Sequence, residues 1–105
     1  MARYLLAYHG GGMPDSEEES ARVMAAWGKW YEGLGAAVAD PGNPIGAART
    51  VGPDGSVRDG GGTNPVSGYT IIEAASLDEA VEMSKSCPVL AGGASIEVCE
   101  TFEAM

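Results

Sequence analysis

The chain has few basic residues, few cysteines and no long apolar segment. Six Lys and Arg residues stand against fifteen Asp and Glu residues, which leaves a formal net charge of −9. Because this charge repels nucleic-acid backbones and anionic membrane surfaces, neither nucleic acid nor a membrane is an expected partner. No apolar run is long enough to span a bilayer, and residues 1–4 lead into a strand-like pattern without signal-peptide features. We therefore expect a cytoplasmic protein.

Ligands for a metal or cofactor are also scarce. Cys87 and Cys99 have neither Cys-x-x-Cys nor metal-ligand spacing, so reduced thiols are expected. His9 is the only histidine, and together with Asp40 and Asp59 it makes too small a set to predict a metal. The three glycines at 10–12 precede a helix, but no phosphate-loop Lys follows them. The sequence thus predicts no metal and no cofactor.

The patterns that are present predict a single domain over residues 1–105 with alternating strands and helices. Ser16 with Glu19, or Asp15 with Glu18, can cap a helix over 16–34, and Gly35 can end it. Strands are expected at 4–9, 36–39, 68–74 and 94–102, a hairpin around the turn at 52–55, and a second helix from 76 to just before 87. This order favours an α+β fold with a ferredoxin-like split β-α-β sheet and two helices on one face.

The chain resembles the YCII-related, or DGPF-domain, proteins over nearly its whole length. The resemblance rests on the opening strand, the paired tryptophans, the turn at 54–55, and the segments 59–60, 68–80, 87–88 and 95–98. It implies a ferredoxin-like subunit of the dimeric α/β-barrel group, and therefore a homodimer. Some DGPF-type proteins are linked with regulatory partners such as alternative sigma factors.

The chain also departs from this family. The Asp-Gly-Pro-Phe signature is replaced by Asp-Gly-Gly-Gly at 59–62, which removes the proline and the phenylalanine. YCII-type enzymes thought to use a histidine and an aspartate have the histidine on the first helix, where this chain has Trp27 and Trp30. The family's catalytic dyad therefore does not transfer to this sequence.

His9 and Asp40 are the candidate catalytic residues. His9 ends the first strand beside the glycine loop, and a histidine can act as a general base near neutral pH. Asp40 follows the second strand, which should run parallel to the first with one strand between them. The two would then lie roughly 10 Å apart, at about 4.8 Å per strand spacing. A structural histidine bonded to a backbone carbonyl is the alternative.

The candidate ligand-binding residues are Trp27, Trp30, Asn43 and Asp59. Trp27 and Trp30 share one face of the first helix and, with Tyr31, could wall a pocket for a planar ligand. The same spacing is typical of core packing. Asn43 and Asp59 lie in loops, where they can orient a ligand or close turns.

Three functions remain open. The first is a protein that binds or transforms a small organic molecule, for example an aromatic or an acidic one, in a pocket between the first helix and the sheet. The second is a non-catalytic module that binds a protein or regulatory partner. The third is a structural scaffold without a ligand.

Overall fold

The computed structural model describes residues 2–12 and 14–104, and their order of elements matches the order expected from the sequence. The strands are β1 (Ala2–His9), β2 (Val38–Asp40), β3 (Arg49–Val51), β4 (Val57–Asp59), β5 (Val66–Ala74) and β6 (Ser95–Glu100), and the helices are α1 (Glu17–Leu34) and α2 (Leu77–Ser84).

Four strands form the main sheet in the order β2-β5-β1-β6. Strands β5 and β6 run antiparallel to β1, and β5 also runs antiparallel to β2. The third main strand therefore lies between the first two, as a split β-α-β plan requires. The predicted α+β, ferredoxin-like architecture is confirmed. Strands β3 and β4 pair only with each other, as a separate two-stranded hairpin.

Helix α1 starts and ends where its sequence signals indicate. The Ser16 side chain accepts a hydrogen bond from the Glu19 backbone N–H at 3.1 Å, which caps the helix. Gly35 takes a positive φ of 56° and ends it. A short 3-10 helix at Gly35–Ala37 follows, so β2 begins at Val38 rather than at the predicted residue 36. The small Gly-Ala-Ala segment favours this turn over a strand.

Helix α2 repeats the same capping chemistry. The Ser76 hydroxyl accepts from the Glu79 N–H at 3.1 Å, and the Glu79 carboxylate accepts in turn from the Ala75 N–H at 3.2 Å. The helix ends at Ser84, before Cys87, since the residue preceding a proline is disfavoured in helical conformation.

The core lies between the helices and one face of the sheet. Alternate residues of β1 point to this face, and Tyr4, Leu6 and Tyr8 are all buried there against Ile72 of β5 and Ala80 of α2. No helix of the described residues is long and apolar enough to cross a membrane.

Among residues 2–12 and 14–104, neither α1 nor α2 packs on the opposite face of the sheet, and we call it the open face. Leu5, Ile71 and Cys99 are register partners on β1, β5 and β6, and all three are half-buried. Three apolar side chains therefore lie next to one another across three strands.

Candidate functional site

A cleft of about 1410 Å³ lies between α1 and the core-facing side of the sheet. Its rim is formed by the glycine loop at 10–12, by the loop at 41–45 and by the 3-10 helix at Pro88–Gly92. Its wall is aromatic, with Tyr8 from β1 and three rings from α1, namely Trp27, Trp30 and Tyr31. The sequence prediction of a pocket walled by α1 therefore corresponds to a cleft in the structure.

The four rings contact one another as a cluster. Trp27 lies at its centre, with ring centroids 5.7 Å from Tyr8, 5.7 Å from Trp30 and 5.6 Å from Tyr31. The first two pairs are edge-to-face, an arrangement that the ring quadrupoles favour. Trp30 is the only buried residue of α1, whereas Trp27 and Tyr31 are half-buried. Part of the cluster surface therefore remains available to a ligand.

Trp30 anchors α1 to the second half of the domain. Its indole N–H donates to the Met83 carbonyl at 3.2 Å and to the Ser86 hydroxyl at 3.1 Å. A buried indole needs such a partner, because an unpaired buried donor is costly. This bond holds the aromatic side of α1 towards the sheet.

A chain of hydrogen bonds supports the polar side of the cleft. Thr70 and Tyr31 each donate their hydroxyl hydrogen to the Pro41 carbonyl, both at 3.0 Å. Since the Thr70 hydrogen is used in this way, Tyr8 must donate to the Thr70 oxygen, at 2.6 Å. The Cys87 thiol in turn donates to the Tyr8 oxygen at 3.7 Å. All of these hydrogen bonds therefore lead to one acceptor, the Pro41 carbonyl. One branch runs from Cys87 through Tyr8 and Thr70, and the other comes directly from Tyr31.

The titratable side chains in this group of hydrogen bonds stay neutral. Burial raises the pKa of the Tyr8 phenol strongly and raises the pKa of Tyr31 as well. Burial also raises the pKa of the Cys87 thiol. At neutral pH these groups therefore keep their protons, and the donor directions given above are maintained.

Asp40 shapes the loop that carries Pro41 and Asn43. Its carboxylate accepts from the Gly42 backbone N–H at 2.9 Å. Gly42 has a φ of 73°, and a Cβ at this position would lie 1.7 Å from the Tyr69 carbonyl oxygen, so only glycine fits. Asp40 thus closes a turn and does not itself line the cleft.

The structure does not bring His9 and Asp40 together. Asp40 is level with Ile71, which pairs with Leu5, four residues before His9 on β1. At about 3.3 Å per residue this offset is roughly 13 Å along the strands, in addition to the two strand spacings. The sequence prediction counted only the spacings, because the short β2 and its bulge conceal the register.

His9 instead pairs with Glu97. One ring nitrogen, Nε2, lies 3.1 Å from the Glu97 carboxylate on β6, and Nδ1 lies 3.1 Å from the Asn64 carbonyl. The ring is 9% exposed and is not part of the cleft lining. This contact with a backbone carbonyl matches the structural alternative for His9, and Glu97 was not singled out from the sequence.

The other predicted residues fall into two groups, those that line the cleft and one that does not. Trp27, Trp30 and Asn43 line the cleft. Asp59 lies on the hairpin, where its carboxylate is 3.6 Å from Arg49, and is not among the lining residues. Within the described part of the chain, no cluster of three or more His, Cys, Asp or Glu side chains could hold a metal ion.

Sequence reasoning did not place Tyr8, Thr70 or Cys87 at the site. Tyr8 lay within an apolar strand, Thr70 within a β-branched strand and Cys87 before a proline, and each of these contexts predicts only burial. A usable signal was the alternation of Tyr4, Leu6 and Tyr8, which puts a phenol on the helix-facing side at the end of β1.

Comparison with known proteins identifies the family. A sequence profile of the YCII-related domain matches residues 3–102. The chain belongs to the YCII-related family. A search of functionally curated proteins found no match.

A solved structure shares the fold. It is 5-chloro-2-hydroxyhydroquinone dehydrochlorinase from Burkholderia phenoliruptrix AC1100, in complex with 2,5-dihydroxybenzoquinone. The match covers 96% of this chain and 93% of that one, with 22% identity and a TM-score of 0.55. At this identity, the similarity supports the fold of this YCII-related protein.

Proposed function

We propose that this YCII-related protein binds a small planar aromatic molecule in the cleft between α1 and the sheet. The observation that carries the proposal is the cluster of four aromatic rings, with Trp27 and Tyr31 only half-buried at its surface. Ring-to-ring contacts contribute about 0.5–1.5 kcal/mol each beyond the burial of apolar area. The dehydrochlorinase that shares this fold was solved with 2,5-dihydroxybenzoquinone, which is not aromatic but has a planar six-membered ring, and this supports a planar ring as the ligand.

The size and charge of the cleft narrow the class of ligand further. Its volume of about 1410 Å³ exceeds the ordinary range for ligand sites of roughly 300–1,000 Å³, so one aromatic ring leaves room for substituents. In a chain of net charge −9, the charged lining residues are Glu19, Arg22 and Lys29, which sum to +1. The cleft is thus suited to a neutral or an acidic aromatic molecule.

Matched ligands test this proposal. Benzoate and cyclohexanecarboxylate have the same charge and nearly the same size, but only benzoate is planar and aromatic. We expect NMR titration to show benzoate binding and to place its largest shift changes at the indole N–H signals of Trp27 and Trp30.

Removing the ring at the centre of the cluster should weaken this binding. Trp27→Ala is expected to weaken benzoate binding roughly tenfold, since one lost ring contact is worth about 1.4 kcal/mol. Tyr4→Phe, which removes a phenol oxygen outside the cleft lining, is the control and should bind as the parent does. Equal binding of the two carboxylates, or an unaffected Trp27→Ala variant, would contradict the proposal.

We propose in addition that two copies pair through their open faces. This rests on Leu5, Ile71 and Cys99, half-buried apolar side chains that lie side by side without a covering helix. Sedimentation at micromolar concentration should show a dimer, and Ile71→Lys should convert it to a monomer with the fold intact. A parent protein that sediments as a monomer would refute the pairing.

A protein-interaction module is the competing function. Pull-down from extract of the native cells separates the two, because a stoichiometric foreign partner on the open face would replace the second copy. We expect the chain to recover only itself.

A further inference from the structure

We infer that the cleft recognises a hydroxyl group on its aromatic ligand, with the ligand O–H donating a hydrogen bond to the Tyr31 oxygen. This inference rests on the proposed aromatic site and specifies which substituent the site selects. The hydrogen bonds on the polar side of the cleft carry it.

Each hydrogen bond on the polar side of the cleft has a defined direction. The Pro41 carbonyl can only accept, so the bonds to it at 3.0 Å use the single hydroxyl hydrogens of Tyr31 and Thr70. Neither hydroxyl then has a hydrogen left to offer a ligand. The Tyr8 hydrogen is used in the same way, on the Thr70 oxygen at 2.6 Å.

One hydroxyl oxygen in this group of hydrogen bonds keeps an acceptor lone pair for a ligand. A phenol oxygen can accept as well as donate, and Thr70, the neighbouring hydroxyl that acts on the Tyr31 phenol, gives its hydrogen to the Pro41 carbonyl and not to the Tyr31 oxygen. The Tyr8 oxygen already accepts from the buried Cys87 thiol at 3.7 Å. Of these two phenol oxygens, the Tyr31 oxygen is therefore the one that can still accept a hydrogen bond, and Tyr31 lines the cleft.

This acceptor belongs to a ring that lies beside the two tryptophans. The Tyr31 ring lies 5.6 Å from the Trp27 ring and 5.4 Å from the Trp30 ring, centroid to centroid. An aromatic ligand that contacts the exposed side of Trp27 therefore lies next to the tyrosine. A hydroxyl on the ligand ring can donate a hydrogen bond to the Tyr31 oxygen, whereas a carbonyl or ether oxygen has no hydrogen to donate.

Protonation keeps this selectivity stable across the neutral pH range. Burial raises the pKa of Tyr31, so the phenol keeps its proton and continues to donate it in the hydrogen bond to the Pro41 carbonyl.

Three naphthalenes of closely similar shape form the test. In 2-naphthol the substituent donates a hydrogen bond, in 2-methoxynaphthalene it only accepts one, and in 2-methylnaphthalene it does neither. We expect calorimetric titration at neutral pH to show 2-naphthol binding roughly three- to tenfold more tightly than the other two, as one net hydrogen bond predicts.

The Tyr31→Phe variant assigns the preference to one atom. It is expected to fold, because the Pro41 carbonyl keeps its bond from Thr70. Its preference for 2-naphthol over 2-methylnaphthalene should fall to about one, because the phenol oxygen is removed and the ring is kept. Tyr4→Phe, the control outside the cleft, should retain the preference.

The outcomes separate this inference from the proposal beneath it. If none of the three compounds binds, the aromatic site itself is refuted and this inference with it. If all three bind equally, or 2-methoxynaphthalene binds as tightly as 2-naphthol, the aromatic site stands and hydroxyl recognition is refuted. A preference that persists in Tyr31→Phe likewise overturns the assignment to the Tyr31 oxygen.

Discussion

Helices α1 and α2 cover the same face of one sheet and begin with the same cap, yet they pack in opposite ways. Helix α2 contacts β5 and β6 and buries two small residues, Ala80 and Ser84, while its larger Met83 is only half-buried against the core. Helix α1 presents large aromatic residues and buries only Trp30. A cleft of about 1410 Å³ separates much of α1 from the sheet.

The difference shows how residue size determines the packing of two helices on a symmetrical plan. Small side chains allow a close approach of helix and sheet, and the pocket between α2 and β6 has a volume of only about 290 Å³. Indoles and phenols hold a helix at a distance and contact one another sideways, so space remains beneath them. We therefore expect stability to depend on the α2 half and on Trp30, and ligand binding to depend on the rest of the α1 face.

The largest expected effect comes from removing the one buried ring of α1. Trp30→Ala should lower the free energy of unfolding by about 3–5 kcal/mol, because it empties a core position and releases both indole hydrogen bonds. Trp27→Ala should cost less, roughly 1–2 kcal/mol, since that ring is only half-buried. Urea unfolding measures both, and equal losses would show that the cleft rings belong to the core.

A matched pair of alanine substitutions tests the packing difference more finely. Ala80→Leu should destabilise the fold by about 1–3 kcal/mol, because Ala80 is fully buried and lines neither the cleft nor the smaller pocket beside α2. Ala26→Leu, on the cleft side of α1, should change stability by less than about 0.5 kcal/mol. Both residue types favour helices, so intrinsic propensity has little influence on the comparison. Thermal or urea midpoints that shift equally would refute the contrast.

The smallest expected effect is a dependence of stability on alkaline pH at the boundary between the two halves. Burial raises the pKa of Cys87 above its ordinary 9.0, so the unfolded chain loses this proton at a lower pH than the folded one. The stabilisation is complete below about pH 9 and is lost as the pH rises towards the folded-state pKa.

Replacing the thiol should remove this part of the pH dependence. Urea midpoints between about pH 7 and pH 10.5 are expected to decline more steeply for the parent than for Cys87→Ala. The substitution also removes buried atoms, which lowers the whole curve, so the slope rather than the height is the informative quantity. Parallel slopes would show that the thiol titrates alike in both states.

The sequence anticipated the elements because each has a local cause. Ser16 with Glu19 and Ser76 with Glu79 form the predicted caps, and Gly35 ends α1 with a positive φ. The boundary of β2 was displaced by a 3-10 turn, for which the sequence carries only the weak signal of small residues.

The candidate site was predicted in part. Trp27 and Trp30 line the cleft because helical spacing determines which residues share a face. His9 and Asp40 do not meet, because their separation depends on strand register, which a three-residue strand with a bulge does not reveal.

By itself, the sequence determined the order of strands and helices, the helix caps, the aromatic face of α1 and the acidic character of the chain. These properties depend on residues close together along the chain. Only the tertiary structure decided that His9 faces Glu97 on the open side, and that Tyr8, Thr70, Pro41 and Tyr31 form one directed chain of hydrogen bonds. Those contacts join residues up to 88 positions apart, so they depend on pairing register and on packing depth, which local patterns do not encode.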